Sequence, residues 1–485
     1  GLHPVEIPEA DMGRCLNTDS GLAWFLQGIQ QYLDNPRNAP AYFTELYHAY
    51  FHGELPMPLN KEAVAAAAFY RKPEKPLSSQ EARKLYGEQL SGSVTRLEQY
   101  AACAFSHFLS YGLELEERAQ YEVRMPDIGM IYHEALQRFS ASMKEEHYRW
   151  HDVPKPEMER LLKEAVQAAV KDYGNGIFSS TSRNEWLLVR IERMLKRTVT
   201  TVQSQIRSGD FEPELFEYGF VHADRYLSLK GRIDRIDKCE DEQGTYLRVV
   251  DYKSGITQFS LEKLYYGLQV QLAVYMDAAL TWAREHGIKN AKPAGMLYYR
   301  IDDPVVDKGK DVEKELKKKL AMKGLVNSDT DSLVHQDRAF YDSSGGLAAG
   351  VVSDVIPAAT LKGGQLSGRS MAADASCFAD AMDCVREGLY QNAEKIMQGD
   401  VDPAPYRRGS EDACTWCSFH DACGFDRKIE GYRYRTLEKI DSEELWDKIR
   451  ERGAKDEQGG DTDSESREEI RDRELENREG ADESK

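Results

Sequence analysis

No run of about eighteen apolar residues occurs in the chain, which argues against a membrane-spanning helix. The opening, "GLHPVEIPEADMG", lacks the basic region and apolar stretch of a secretory signal peptide. A soluble, intracellular (cytoplasmic) protein without membrane attachment is therefore expected. The first residue is Gly rather than Met, which reads as a piece of something longer. An intact phosphate loop is also missing. "GGQLSGRS" at 363–370 has the right spacing, but Arg369 stands where the phosphate-reaching Lys belongs, and no clear strand precedes it. A Gly/Ser turn is expected there, and no ATPase motif is found. Internal repeats are absent. So is any excess of positive charge: the net charge of −19 excludes a basic nucleic-acid-binding domain and leaves room only for a local basic groove. Residues 456–485 carry 13 acidic and 5 basic side chains, a net −8, and are expected to be solvated and disordered.

What is present is a globular composition, 41% hydrophobic with 10% aromatic residues over 485 positions, long enough for two to four domains. Residues 1–90 read as a helical segment with Pro-containing breaks, and residues 441–485 as an acidic tail. Between them, Thr95 and Glu98 have capping-box spacing at a helix start in "SVTRLEQYAACAFSHFLSYGL". Helices are expected over "GMIYHEALQRFSASM", over "PEMERLLKEAVQAAVKDYG" with Gly174 as its stop, and over the amphipathic "RNEWLLVRIERMLKRTVTTVQSQIRSG". One helix is expected over "LEKLYYGLQVQLAVYMDAALTWAREHG" and a strand over "AGMLYYRI". "KGKDVEKELKKKLAMKG" reads as a helix with a solvated basic face. The pattern predicts an α/β sandwich around a mixed sheet.

The chemistry concentrates in two places. "LSLKGRIDRID" and "YLRVVDYK", separated by the polar "KCEDEQG", read as a β-hairpin turning near Glu242–Gln243. That register puts Asp234 about opposite Asp251. Like charges directly opposite are destabilising, so a shared divalent cation is the expected compensation. Asp251 and Lys253, two apart on a strand, point from one face. Carboxylates suit Mg²⁺, and a Lys at the rim can hold an attacking water whose pKa the metal lowers. His133 lies on a helix one turn after Gly129 and offers an imidazole, which would favour Mn²⁺ compatibility. Gln271 and Tyr275 share a helix face four residues apart. Asp237 reads as an exposed strand end.

Eight cysteines form the second place. Cys414, Cys417 and Cys423 make a C-x2-C-x5-C run, an incomplete set for tetrahedral zinc or a four-Cys cluster, with Cys103 or His420 available as a fourth ligand. Such spacing in an intracellular chain favours metal over disulfide. Cys15, Cys239, Cys377 and Cys384 read as structural thiols.

In their order, "SVTRLEQYAACAFSHFLSYGLEL", "GMIYHEAL", "GRIDRID", "VVDYKSG", "LQVQLAVYM" and "CTWCSFHDACGFD" resemble the RecB-like branch of the PD-(D/E)xK nucleases. More closely, they are similar to the C-terminal nuclease regions of AddB-type subunits of bacterial helicase–nucleases. The resemblance runs from about 91 to 426. It implies a restriction-endonuclease-like core over residues 91–440, an α/β mixed sheet flanked by helices with an iron–sulfur staple. His133, Asp234 and Asp251 would hold the catalytic Mg²⁺ (or Mn²⁺), with Lys253 as the catalytic lysine and Gln271 and Tyr275 beside the bound strand. Cys103, Cys414, Cys417 and Cys423 would hold a 4Fe–4S cluster. Residues 1–90 would be the end of a helicase-like region. The implied function is metal-dependent DNA exonuclease action at double-strand break ends in recombinational repair, double-stranded DNA entering and a single strand being cleaved. An AddA-type helicase–nuclease subunit would be the partner. Competing readings are a cluster-stapled DNA-end clamp with a vestigial site, a stand-alone CRISPR-type Fe–S exonuclease, and a zinc-stapled version of the fold. Related proteins often have Pro where this chain has Ala104.

Overall fold

The hairpin of the sequence is the spine of a seven-stranded mixed sheet. β3 (Leu227–Asp241) and β4 (Gly244–Lys253) pair antiparallel from Arg235↔Val250 to Asp241↔Gly244. Glu242 and Gln243 form the turn, and the Asp241 carboxylate accepts the N–H groups of Gln243 and Gly244. Gly244 has φ 144°, and a Cβ there would meet the Asn290 carbonyl at 2.6 Å, so glycine is required. β1 (Leu90–Ser93), β2 (Glu212–Ala223), β5 (Ala291–Arg300), β6 (Lys323–Asn327) and β7 (Ala372–Ala373) complete the sheet. Its order is β1-β3-β4-β5-β6-β7, with β2 also on β3. β4 and β5 are parallel and joined through a helical crossover, as parallel neighbours require.

The computed structural model describes residues 19–52, 60–68, 76–116, 122–223, 227–307 and 311–457, with the single residues 72 and 118. They form two compact units: Leu77–Val401 with Leu437–Lys485, which holds the sheet, and Gly1–Pro76 with Asp402–Thr436.

In the sheet unit, helices cover both faces. α2 (Met125–Glu145), α3 (Lys155–Asp172) and α4 (Ser182–Arg207) pack Phe139, Leu161, Leu195 and Val199 against Val250, Tyr252, Leu297 and Tyr299. α1 (Val94–Ala102), α5 (Gln271–Glu285) and α6 (Ala375–Met397) cover the other face, around Ile233, Val249, Met296 and Tyr298. Each such fully buried side chain contributes about 1.5–3 kcal/mol.

Four local expectations change. The cap of α1 is Ser93, which accepts from the Arg96 N–H, and not the Thr95–Glu98 box; Glu98 is spent elsewhere. The single helix expected over 261–287 is two, Leu261–Tyr265 and α5, because the backbone turns left-handed at Gly267 (φ 77°). Asp237 is fully buried between the guanidinium groups of Arg235 and Arg248, at 2.8 and 2.7 Å, and Arg235 also donates to the Tyr252 hydroxyl. The sequence hides this because the arginines alternate with apolar residues as solvent-facing ones would. Removing one partner of such a buried set costs about 3–5 kcal/mol.

The fourth change concerns the tail. Ser442–Glu457 is a helix, α7, with Leu445 and Ile449 buried beside Ile440 and Cys384; residues 458–485 lie outside the described ones, as does Cys15. Residues 363–370 form a turn, with a bridge between Thr360 and Leu366, followed by a two-residue strand rather than a phosphate-loop helix. The other unit packs Phe25, Ile29, Phe43, Leu46 and Tyr50 from helices Asp19–Asp34 and Ala41–Phe51. It also carries a small sheet, β8 (Tyr406–Arg408), β9 (Glu411–Asp412) and β10 (Arg435–Thr436), in the order β10-β8-β9. Among the described residues no helix is long and apolar enough to cross a membrane.

Candidate metal centre

β3 has two edges, and β2 runs along one of them from Ala223↔Ser228 to Glu212↔Lys238. The other edge is shared. β1 pairs with residues 227–230, β4 takes over at Arg235, and the ladder opens between them. Asp234 sits in that fork, one step beyond the last β3–β4 pair and so in register with Asp251. Its carboxylate accepts the Tyr252 N–H at 2.6 Å, which fixes it at the mouth of the gap.

Around Asp234 the fold assembles two groups. On one side, α2 brings His133, whose Nδ1 is 3.3 Å from Asp234 Oδ1 and 3.5 Å from Glu217 Oε1. Among the described residues, His133, Glu217 and Asp234 are the one set of three or more possible ligands whose donor atoms all lie within 4.8 Å of one another. Glu217 comes from β2, between the pairs Phe216↔Arg235 and Tyr218↔Ile233, directly across from Asp234. Its backbone is left-handed (φ 50°), a conformation costly for a side chain other than glycine and concentrated at functional sites. The kink breaks the strand's alternation: Phe216 stacks on Trp150 in one helical layer, and Tyr218 meets Trp282 in the other.

On the other side, Lys253 Nζ lies 2.7 Å from Asp251 Oδ2 and donates to Gln271 Oε1 at 2.6 Å. Gln271 Nε2 donates to the Tyr275 hydroxyl at 2.7 Å, and the Tyr275 ring meets Phe220 edge-on. Glu98, half-buried on α1, accepts the N–H groups of Val270 and Gln271 at 2.7 and 3.2 Å. It thus caps α5 at the residue that holds the lysine, where the helix dipole favours a carboxylate.

The electrostatics follow from crowding charge at a buried fork. Burial opposes charging His133, but hydrogen bonds and charge from Asp234 and Glu217 outweigh it and lift the ring to about 10. Burial, then Asp234, push Asp251 up to about 7 against the pull of Lys253. Burial raises Glu217 and Glu98 as well. Burial and then Asp251 hold the Tyr275 hydroxyl far above its usual range, so it stays protonated. Anionic oxygens drawn together at one point, with one imidazole among them, are a hard donor set suited to a divalent cation. The residues fit such an ion.

All six expected side chains, His133, Asp234, Asp251, Lys253, Gln271 and Tyr275, thus converge on the fork. Two more were not anticipated. Glu217 lies on a strand whose only signal in the sequence is the alternation of Phe216, Tyr218 and Phe220, and the local kink that aims it has no sequence signal. Glu98 had a signal, but a local capping role was the simpler account of it.

The cysteines are less gathered. Cys103 is buried at the end of α1, in the sheet unit. Cys414, Cys417 and Cys423 belong to the other unit, on a loop where the Cys417 N–H reaches the Cys414 carbonyl and the Cys423 N–H the Phe419 carbonyl. No described cysteine is in a disulfide. The three thiols and the exposed His420 do not form a set within single-ion distance. One zinc with bonds of about 2.3 Å would need sulfurs within about 4 Å of each other, so a preformed zinc site is not what the loop presents. Burial raises the Cys414 and Cys423 thiols.

A mixed sheet thus opens at a fork of two aspartates, with a lysine two residues past the second and a set of donor groups that could hold a metal ion. Residues 91–424 match the PD-(D/E)XK nuclease superfamily, and the chain belongs to it. It is similar to the B subunit of the ATP-dependent helicase/deoxyribonuclease of Lachnoclostridium phytofermentans, with 44% identity over 436 residues, 90% of this chain and 38% of the relative. The proteins of the same name from Alkaliphilus oremlandii and Clostridium acetobutylicum are 34% and 35% identical over 77% and 76% of this chain and 33% of their own length. The chain thus spans about a third of the curated relatives it matches.

Proposed function

We propose that this chain is the nuclease portion of an AddB-type subunit of a helicase–nuclease, hydrolysing DNA phosphodiester bonds in a divalent-metal-dependent reaction at double-strand break ends. One observation carries the reading: Lys253 is held by Asp251 and Gln271 beside the donor set of His133, Glu217 and Asp234. Those three residues with Asp251 would hold Mg²⁺, or Mn²⁺ given the imidazole. A bound cation would supply an acidified water and charge stabilisation on the phosphate oxygens. The chain's own groups do the rest. Lys253, held 2.7 Å from Asp251 Oδ2, orients the water and offsets its developing negative charge. Gln271 fixes the lysine's direction, and Tyr275, protonated, offers a neutral donor to the strand lying on α5.

The same reading makes Cys103, Cys414, Cys417 and Cys423 the ligands of a 4Fe–4S cluster that staples the domain, and an AddA-type subunit the supplier of the motor. No motor activity is assigned to this chain, and a cytoplasmic location fits the reaction. The test is cleavage of linear DNA with Mg²⁺ by the anaerobically purified chain and by Lys253→Ala, after both are shown to be equally folded. Activity lost in Lys253→Ala is the expected result. Equal cutting by both would move the chemistry away from the fork, and absence of cutting by both, even with an AddA-type partner added, would favour the DNA-end clamp.

A further inference from the structure

The N-terminal half of α4 exposes a surface that packing does not explain. Trp186 is 60% exposed and Val189 63%, on a helix whose buried positions begin only at Ile191. Arg190 and Arg193, four and seven residues after Trp186, are exposed on the same side. At about 100° per residue, the acidic Glu185 and Glu192 fall beside Val189, on the flank away from Arg190. Trp186 and Val189, three residues apart, expose an apolar and aromatic face fit to meet a partner, and Arg190 beside them, in a chain of net charge −19, selects an anion.

The surface lies on the helix that packs toward the catalytic fork: Met194, one turn after Arg190, accepts from the hydroxyl of Tyr132, the residue before His133. Arg193 and Arg197 grip Asp303, at 2.9 and 3.4 Å, just past β5, and the Ile301 N–H bonds the Lys253 carbonyl at 2.9 Å. Tyr132 donates to Met194, and Gln203 donates to the Trp150 carbonyl, so α2 and α4 run the same way. The exposed Met125 and Met130 of α2 therefore lie toward the Trp186 end, and a Cβ on Gly129 would sit 3.5 Å from the Ser254 hydroxyl, next to Lys253.

We propose that this face of α4 is a single-stranded DNA platform on which a base stacks on Trp186 while Arg190 meets a backbone phosphate, one step from the scissile position. The chemistry is that of sequence-tolerant strand binding, in which aromatic faces take bases and arginines track the backbone. This rests on the nuclease reading but is separable from it, because it concerns binding outside the reacting groups.

The test is equilibrium binding of fluorescein-labelled oligo-dT, without divalent cation, to the wild-type chain, Trp186→Ala, Trp186→Phe and Arg190→Gln. Truncation of the indole is expected to weaken binding about 5- to 150-fold, with Trp186→Phe retaining most of it. Arg190→Gln is expected to lower the slope of log affinity against log salt by about 0.7. Binding by Trp186→Ala within twofold of wild type overturns the proposal and leaves the face to a protein neighbour. Should Trp186→Ala melt early, the Arg190→Gln slope decides: an unchanged slope overturns it too. Wild-type chain that cuts DNA through Lys253 while Trp186→Ala binds normally would refute the platform alone; wild-type chain that neither binds nor cuts would refute both readings.

Discussion

At the scale of single residues, the centre is arranged through Glu98. Its carboxylate touches no reacting group, yet it closes the N-terminus of α5 at Gln271, and Gln271 holds Lys253. It is a positioning residue. Glu98→Ala is expected to lower kcat at least tenfold with KM for DNA little changed, since the strand's own contacts remain. Glu98→Gln keeps an acceptor oxygen for both N–H groups and should recover most of the loss. A purely structural role would instead show as a lowered melting temperature with kcat intact, and that result would remove the assignment. Glu98 also marks how far residue-level reading reaches. His133, Asp234, Asp251, Lys253, Gln271 and Tyr275 were legible because motif order and helix or strand spacing are written in sequence. Glu98 and Glu217 were not, because a cap donated across space and a left-handed strand residue are decided by tertiary packing.

At the scale of elements, the hairpin's distal end is tied down independently of the centre. His335 spans Asp210 and Asp241, with Nδ1 at 2.9 Å and Nε2 at 3.0 Å, and Arg338 also holds Asp210. Gln243 in the turn bonds Asp331 at 2.5 Å. Burial opposes the charged ring, but both carboxylates outweigh it, so the His335 pKa is raised; the same bridge lowers Asp210 and Asp241. A raised histidine pKa gives stability fully present below its unfolded value of about 6.5 and lost as pH rises through the folded value. The lowered carboxylates give stability present above about 4 and lost as pH falls. The bridge is thus strongest between about pH 4 and 6.5. The melting-temperature gap between wild type and His335→Gln is expected to narrow steadily from pH 6 to pH 9. A gap constant over that range would contradict the bridge. Elements were the most legible level: α2, α3, α4, the hairpin and β5 follow from periodicity and turn chemistry. The break at Gly267 and the helix α7 escaped it, the first because a single glycine is weak punctuation, the second because an acidic composition hides the two buried positions, Leu445 and Ile449.

At the scale of the whole molecule, the chain divides its chemistry between a sheet unit that carries the fork and a second unit that carries three of four candidate cluster cysteines. Metal-binding energy at a structural site is folding energy. Cys414→Ser is therefore expected to lose the brown colour of anaerobically purified protein and much of its thermal stability; full colour and an unchanged melt would remove the cluster assignment. The central claim is narrower: one divalent cation binds at the β3–β4 fork. Calorimetric titration of Mn²⁺ into the wild-type chain and Asp234→Asn, both folded by circular dichroism, tests it most directly. A single Mn²⁺ site in the wild type that Asp234→Asn weakens at least tenfold is the predicted result. Equal Mn²⁺ binding by the two proteins would place the metal elsewhere and contradict the account.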